Sequence, residues 1–375
     1  MNIARRLGRA TRLCVVLMTY FWAGLTLAAP PIEKLRLPPG FRIELWAEVD
    51  NARALTRGAG RTVFVGSFNA GRVVALTYDE NYRVRQQYQI ARGLARPVGV
   101  AFRDGALYVS AIDRILRFDA IEQHLEHPPE AQTVTDKLPS ETHHGWKFIA
   151  FGPDGKLYVP VGAPCNICEP DADRYALILR MNRDGSGREV VARGVRNSVG
   201  FDWHPDSGEL WFSDNGRDYL GDDAPPCEIN RVARTGSHFG YPYCHGGTIA
   251  DPEFGKLHAC SEFEPPAWNL GAHVAPLGLR FYRGNMFPAP YRKALLVAQH
   301  GSWNRSRKAG YSVLALRLEG NKVVAAEPFV EGWLQPGEKV WGRPADLLEL
   351  PDGSLLISDD TAGAIYRLSF SGPSR

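Results

Sequence analysis

Residues 142–159, THHGWKFIAFGPDGKLYV, set two adjacent histidines before an alternating apolar run, a Pro-Asp-Gly turn and a second alternation. An imidazole titrates near neutrality, so a histidine at the open end of a strand suits proton transfer at physiological pH. Alternation sends neighbouring side chains to opposite faces, so only one of His143 and His144 is expected to face a shared site. GVRNSVG brings Arg196 and Asn197 to the head of another alternation, and GRPAD does the same for Arg343 and Asp346. Arginine forks bind carboxylates bidentately, so such residues suit an anionic ligand. Each has an ordinary alternative: a hydrogen-bonded strand-end histidine, a loop-capping Arg-Asn pair, a surface arginine. The segment 213–231, SDNGRDYLGDDAPPCEINR, concentrates Asp214, Asn215, Asp218, Asp222, Asp223, Glu228 and Asn230, oxygen ligands suited to a hard cation but without EF-hand spacing; a solvated loop is the competing reading.

These clusters share a position in a repeat. A polar cluster, a short alternating strand, a turn and a strand of the Leu-Tyr-Val type recur at 94–119, at the opening segment, at 195–215 and from 343 onward. Looser copies occur at 274–301 and from Ala52. Arg96 to Leu107 spans 11 residues, His144 to Leu157 and Asn197 to Leu210 span 13, and Arg343 to Leu355 spans 12. Period-2 alternation around Asp-Gly turns is a hairpin signal, and units recurring with inserted loops read as propeller blades. The expectation is an all-β propeller of five or six blades over residues 33–370, with a β-sandwich as the rival fold. The starts of equivalent inner strands then converge on one channel mouth, gathering Arg96, His143, His144, Arg196, Asn197, His273, Arg343 and Asp346. Cations gathered there call for an anionic ligand.

The bulk properties agree. The 38 Gly, 27 Pro and 11% aromatic residues suit short strands and tight turns. MNIARRLGRATR, with four Arg and no acid, precedes an apolar run of about 15 residues and small residues before PP, a secretory signal over residues 1–28. Its removal leaves 40 basic against 41 acidic residues, from 44 against 41, so the mature chain lacks the basic excess that nucleic-acid binding needs. The expected location is periplasmic or secreted, with no stable membrane insertion after cleavage. An oxidising compartment makes disulfides the default for Cys165 with Cys168 and Cys244 with Cys260, leaving Cys227 as the odd thiol; a zinc site is the alternative.

At HHGWKFIAFGPDGKLYVPVGAPCNICEP, RGVRNSVGFDWHP, GELWFSDNGRDYLGDDAPP, HFGYPYCHGG, HVAPLGLRFY, AQHGSWNRS and GRPADLLELPDGSLLISDDTAGAIYR, the chain resembles the sorbosone dehydrogenase branch of the soluble pyrroloquinoline quinone (PQQ) sugar dehydrogenases, from about Leu37 to Leu368. The resemblance implies a six-bladed propeller with PQQ at the channel mouth and Ca2+ beside it, an aldose or related sugar as substrate, and a soluble cytochrome or membrane quinone as external electron acceptor. It implies His144 as general base, Arg196, Asn197, Arg343 and Arg305 as cofactor contacts, and the backbone of Gly240, Tyr241 and Pro242 as calcium ligands. Two departures stand out: Val98 where a polar residue is expected, and Cys227 where an acid is common. A metal-dependent sugar lactonase and a non-catalytic binding propeller are the rival functions.

Overall fold

Hairpin turns set the pattern. Asp104 and Gly105 (φ 49° and 80°) join Val100–Arg103 to Ala106–Ser110 with Arg103 opposite Ala106, the left-handed pair that a two-residue turn between twisted strands requires. The computed structural model describes residues 29–372, and the signal read at residues 1–28 lies outside them. Successive hairpins build five four-stranded sheets and one five-stranded sheet, with two small extra hairpins. These are the blades of a six-bladed propeller. Their innermost strands are Ala52–Arg57, Val100–Arg103, Ala150–Phe151, Phe201–Trp203, Pro276–Phe281 and Pro344–Glu349. Each sequence repeat supplies the first two strands of one blade, as expected. The sixth blade is composite: Phe41–Glu48, from the start of the chain, pairs with Ala364–Phe370, from its end. Among the described residues no helix is long and apolar enough to cross a membrane.

Blades are joined by specific bonds as well as by apolar contact. The hydroxyls of Ser110, Ser213 and Ser358, on second strands, donate to the carbonyls of Lys147, Leu277 and Arg53 in the next blade (2.7, 2.8 and 2.7 Å). Gly200 permits one such approach, since a Cβ there would lie 2.3 Å from the Leu277 carbonyl oxygen. Between blades 4 and 5, Trp211 and Phe281, both fully buried, meet edge to face. Asp346, expected at the channel mouth, instead sits deeper in the ring and accepts the Leu55 amide (2.8 Å), tying blade 6 to blade 1.

Blade 4 contains a costly pairing: Asp214 lies directly opposite Glu228, and both are buried. Burial raises both carboxyls, Asp214 to about 6 despite the amides of Arg196 and Asn197, and Glu228 to about 8, with Asp214 adding repulsion. The folded state therefore keeps the Glu228 proton at pH values where the unfolded chain, with its ordinary 4.5, has released it. That contribution is full below pH 4.5 and is lost as pH rises to about 8.

The disulfides Cys165–Cys168 and Cys244–Cys260 are formed and Cys227 is a buried free thiol, as the spacing suggested. Replacing Cys244 and Cys260 by Ala opens a link across 16 positions and is expected to cost about 3 kcal/mol in urea unfolding; opening Cys165–Cys168, across 3, costs markedly less. Glu228→Gln is expected to raise the unfolding midpoint relative to the parent at pH 8 and to change it little at pH 4.5. An equal loss at both pH values would contradict the assignment.

Candidate active site

One end of the channel opens into a cavity of about 490 Å3 whose wall draws on every blade. Arg53, Arg96, Arg196 and Arg343 line it, against the single carboxylate of Asp218. Three of the residues expected at this mouth approach it through short turns. Arg96, His144 and His273 have φ of 48°, 48° and 60°, left-handed values that turn the chain into the inner strand.

His144 is 8% exposed and held on two sides. Its Nδ1 lies 2.9 Å from the Ala163 carbonyl oxygen, so this nitrogen carries the proton and Nε2 keeps a free lone pair. Gly162 is required behind it, because a Cβ there would stand 2.6 Å from the His144 Cβ. Burial, then the charge of Arg196, then His143, hold its pKa well below the usual value of 6.5. His143 also lines the cavity, its ring 4.1 Å from that of His144. The expectation that only one histidine could face the site fails because residues 142–145 form a turn; the inner strand begins at Ala150. Lys147, fully buried, supports this turn by donating to the Gly145 and Ile112 carbonyls (both 2.5 Å).

Arg196 is largely engaged by the protein. Nε donates to the Asn166 carbonyl (2.8 Å), Nη1 to the Asn215 carbonyl (3.0 Å), and Nη2 to Asn166 Oδ1 and Asp218 (2.7 and 3.3 Å). Four of the five N–H groups of a guanidinium are thus occupied, which leaves no bidentate fork for a ligand. Asn197, also on the wall, receives Asp214 only through its backbone amide (2.6 Å), and its side-chain amide has no protein partner among the described residues. Arg343 donates through Nε to the His300 carbonyl (2.8 Å) and through Nη2 to that of Gly301, and its guanidinium lies over Tyr311. Trp146 lines the cavity, and its Nε1–H is buried without a hydrogen-bond partner among the described residues.

The wall also holds residues that sequence reasoning missed. Arg53 pairs with Asp360 (2.6 Å), which also meets His300 Nε2 (2.8 Å). Burial lowers His300 to about 4, outweighing the pull of Asp360. Arg53 stands in the N-terminal repeat at the place where the others carry their polar residue, so that signal was present. His300 directly follows the second strand Leu295–Gln299, away from the polar position that the repeats share.

Other expected site residues lie elsewhere. Gly240, Tyr241 and Pro242 do not line the cavity. The Gly240 carbonyl already accepts the amides of Tyr243 and Cys244 (2.7 and 2.9 Å), while the Tyr241 hydroxyl accepts the Cys168 amide (3.1 Å). Through that hydroxyl the segment props the disulfide loop that holds Arg196. Arg305 is not on the wall either; it binds the Asp222 carbonyl and the Asp223 carboxylate. Val98 is buried off the wall, so the second blade offers only Arg96 there. Of the polar segment 213–231, Asn215, Gly216, Asp218 and Cys227 reach the cavity. No cluster of three or more His, Cys, Asp or Glu side chains able to hold a metal occurs among the described residues.

A positive wall with free N–H groups on Arg53, Arg96 and Arg343, an open asparagine amide and a neutral imidazole fits a polycarboxylate such as PQQ. The family model for glucose/sorbosone dehydrogenase matches residues 111–367. An uncharacterized protein of Borreliella burgdorferi is 36% identical over 364 residues, 93% of this chain and 94% of that one. The fold is similar to the holo form of the pyranose dehydrogenase PQQ domain from Coprinopsis cinerea (TM-score 0.77, 18% identity, 89% of this chain and 97% of that one). It is also similar to the PQQ-bound aldose sugar dehydrogenase from Streptomyces coelicolor (TM-score 0.63, 19% identity, 90% and 100%). With its family model spanning most of the propeller, the chain belongs to the glucose/sorbosone dehydrogenase family.

Proposed function

We propose that this sugar oxidoreductase is an exported quinoprotein that oxidises an aldose or related sugar, using PQQ held in the cavity and passing electrons to a soluble cytochrome or a membrane quinone. The observation that carries the reading is the convergence of four arginines from different blades with a neutral, Nε2-free His144 on one cavity. Bound there, PQQ supplies a two-electron acceptor. The chain supplies the rest. Arg53, Arg96 and Arg343 hold the carboxylates with their unspent N–H groups. Arg196, fixed by Asn166 and Asn215, contributes a rigid positive charge and one remaining N–H. Asn197 orients the ligands by hydrogen bonding, and Trp146 gives the wall an aromatic surface. His144 Nε2 accepts the proton of the sugar hydroxyl, and Ala163 keeps the ring in the tautomer that can do so.

Two disulfides and the leader read at residues 1–28 support a periplasmic or secreted location. For calcium, the one carboxylate among the wall residues, Asp218, is a candidate oxygen donor, beside Asn215 of the same segment.

Titration of the purified protein with PQQ, with and without Ca2+, followed by dye reduction over an aldose panel, tests the reading; no PQQ absorbance change and no sugar-dependent reduction would sink it. His144→Ala is expected to lower kcat by about 10²–10⁴ while PQQ still binds. The lowered pKa of His144 keeps its base form populated in mild acid, so the acid limb of kcat/KM is expected below pH 6.5. Arg343→Ala is expected to weaken PQQ binding about 10- to 100-fold, read from the same titration.

A further inference from the structure

Among the described residues four large apolar side chains are exposed, and two of them meet at the cavity mouth. Tyr219 and Trp303, 68% and 67% exposed, have ring centroids 5.9 Å apart and planes at 85°. Trp303 belongs to the cavity wall as well as to the surface, and Tyr219 directly follows the lining residue Asp218. They come from loops of different blades, and both loops are tied down. Arg305 binds the Asp222 carbonyl and the Asp223 carboxylate, and the Ser306 amide donates to Asp222 (2.9 Å), strapping the Trp303 loop to the Tyr219 loop. Asn166 holds Asp218 from both sides, accepting its amide (2.8 Å) and donating to its carbonyl (3.2 Å). Tyr219 itself sits at φ 70°, a left-handed conformation that a bulky residue adopts only against a steric cost.

Rigid, strapped loops that hold two large rings in water gain nothing for folding from those rings. Adjoining exposed aromatics mark a binding surface. Tryptophan and tyrosine faces cover the apolar C–H face of a pyranose and leave its hydroxyls in water. We propose that Tyr219 and Trp303 form an outer sugar subsite, which holds a second pyranose linked to the one that enters the cavity, so that a di- or oligosaccharide with a free reducing end is preferred over a monosaccharide. This rests on the sugar dehydrogenase reading and extends it. Because Trp303 lines the same cavity as His144, a unit stacked on it adjoins the one that enters the cavity. Arg305, expected from sequence to touch the cofactor, acts here as the positioning residue that keeps the two rings together.

Two measurements test the subsite. In the PQQ-loaded protein, the ratio of kcat/KM for cellobiose or maltose to that for glucose is expected to fall about tenfold in Trp303→Ala, with a smaller fall in Tyr219→Ala. In saturation-transfer NMR on the apo-protein, either disaccharide should show contact through both rings, and only through the cavity unit in Trp303→Ala. An unchanged ratio, or contact through one ring in the parent protein, overturns the subsite. So does a variant whose sugar ratio is unchanged but whose reduction of a cytochrome is slowed, which would make the pair an acceptor-docking surface. Failure of the parent protein to bind PQQ or oxidise any sugar defeats the underlying function, while the apo-protein NMR still decides whether the outer unit is held.

Discussion

The structure depends on a single antiparallel pairing, that of Phe41–Glu48 with Ala364–Phe370, because it turns a linear row of sheets into a ring. An open row would leave an unpaired outer strand and an uncovered blade face at the break; the pairing removes both. The inter-blade serine bonds and the buried contacts of Trp211 and Phe281 can then act around a closed circuit. The cavity exists only because of this closure: Arg53 comes from the first blade and Arg343 from the last, and Asp360 of the sixth blade joins Arg53 to His300 of the fifth.

Within that ring the electrostatics follow from one choice. Arginines keep their charge under burial, whereas imidazoles lose theirs, so packing both kinds around one hole produces a cationic wall carrying neutral histidines. Burial first, and the charge of Arg196 second, lower the pKa of His144, so the charge that would attract a polycarboxylate also favours its neutral form. The wall spends much of its hydrogen-bonding capacity on itself, and Arg196 is the extreme case, fixed by a hairpin that is in turn fixed by a disulfide and by Tyr241. The buried Asp214, which costs stability beside Glu228, keeps the backbone of Arg196 and Asn197 in place.

The blade repeat was legible because alternation and Asp-Gly turns are local: every repeat found in the sequence became the first two strands of a blade. Most of the mouth was legible for the same reason, since equivalent positions in a repeat become neighbours. What was not legible needed backbone directions that alternation does not report. His143 and His144 both reach the cavity because their segment is a left-handed turn. Asp346 does not, because its side chain runs along the ring to Leu55. Carbonyl donors are harder still to read. The Gly-Tyr-Pro segment looks like a ligand turn, yet its Gly240 oxygen is consumed by its own turn, while the segment that reaches the wall was noted for its side chains. Arg305 shows a further limit: a cation close in sequence to the site is drawn away by two aspartates 82 and 83 positions distant.

The composite sixth blade has a thermodynamic consequence. A ligand whose negative groups are gripped at once by Arg53, Arg96 and Arg343 bridges the first, second and last blades, and so acts as a clasp across the seam where the two ends of the chain meet. Any such ligand binds the closed ring and not an opened one, so its binding free energy adds to the ring's resistance to opening. Cofactor occupancy and the integrity of the circle are therefore two readings of a single equilibrium.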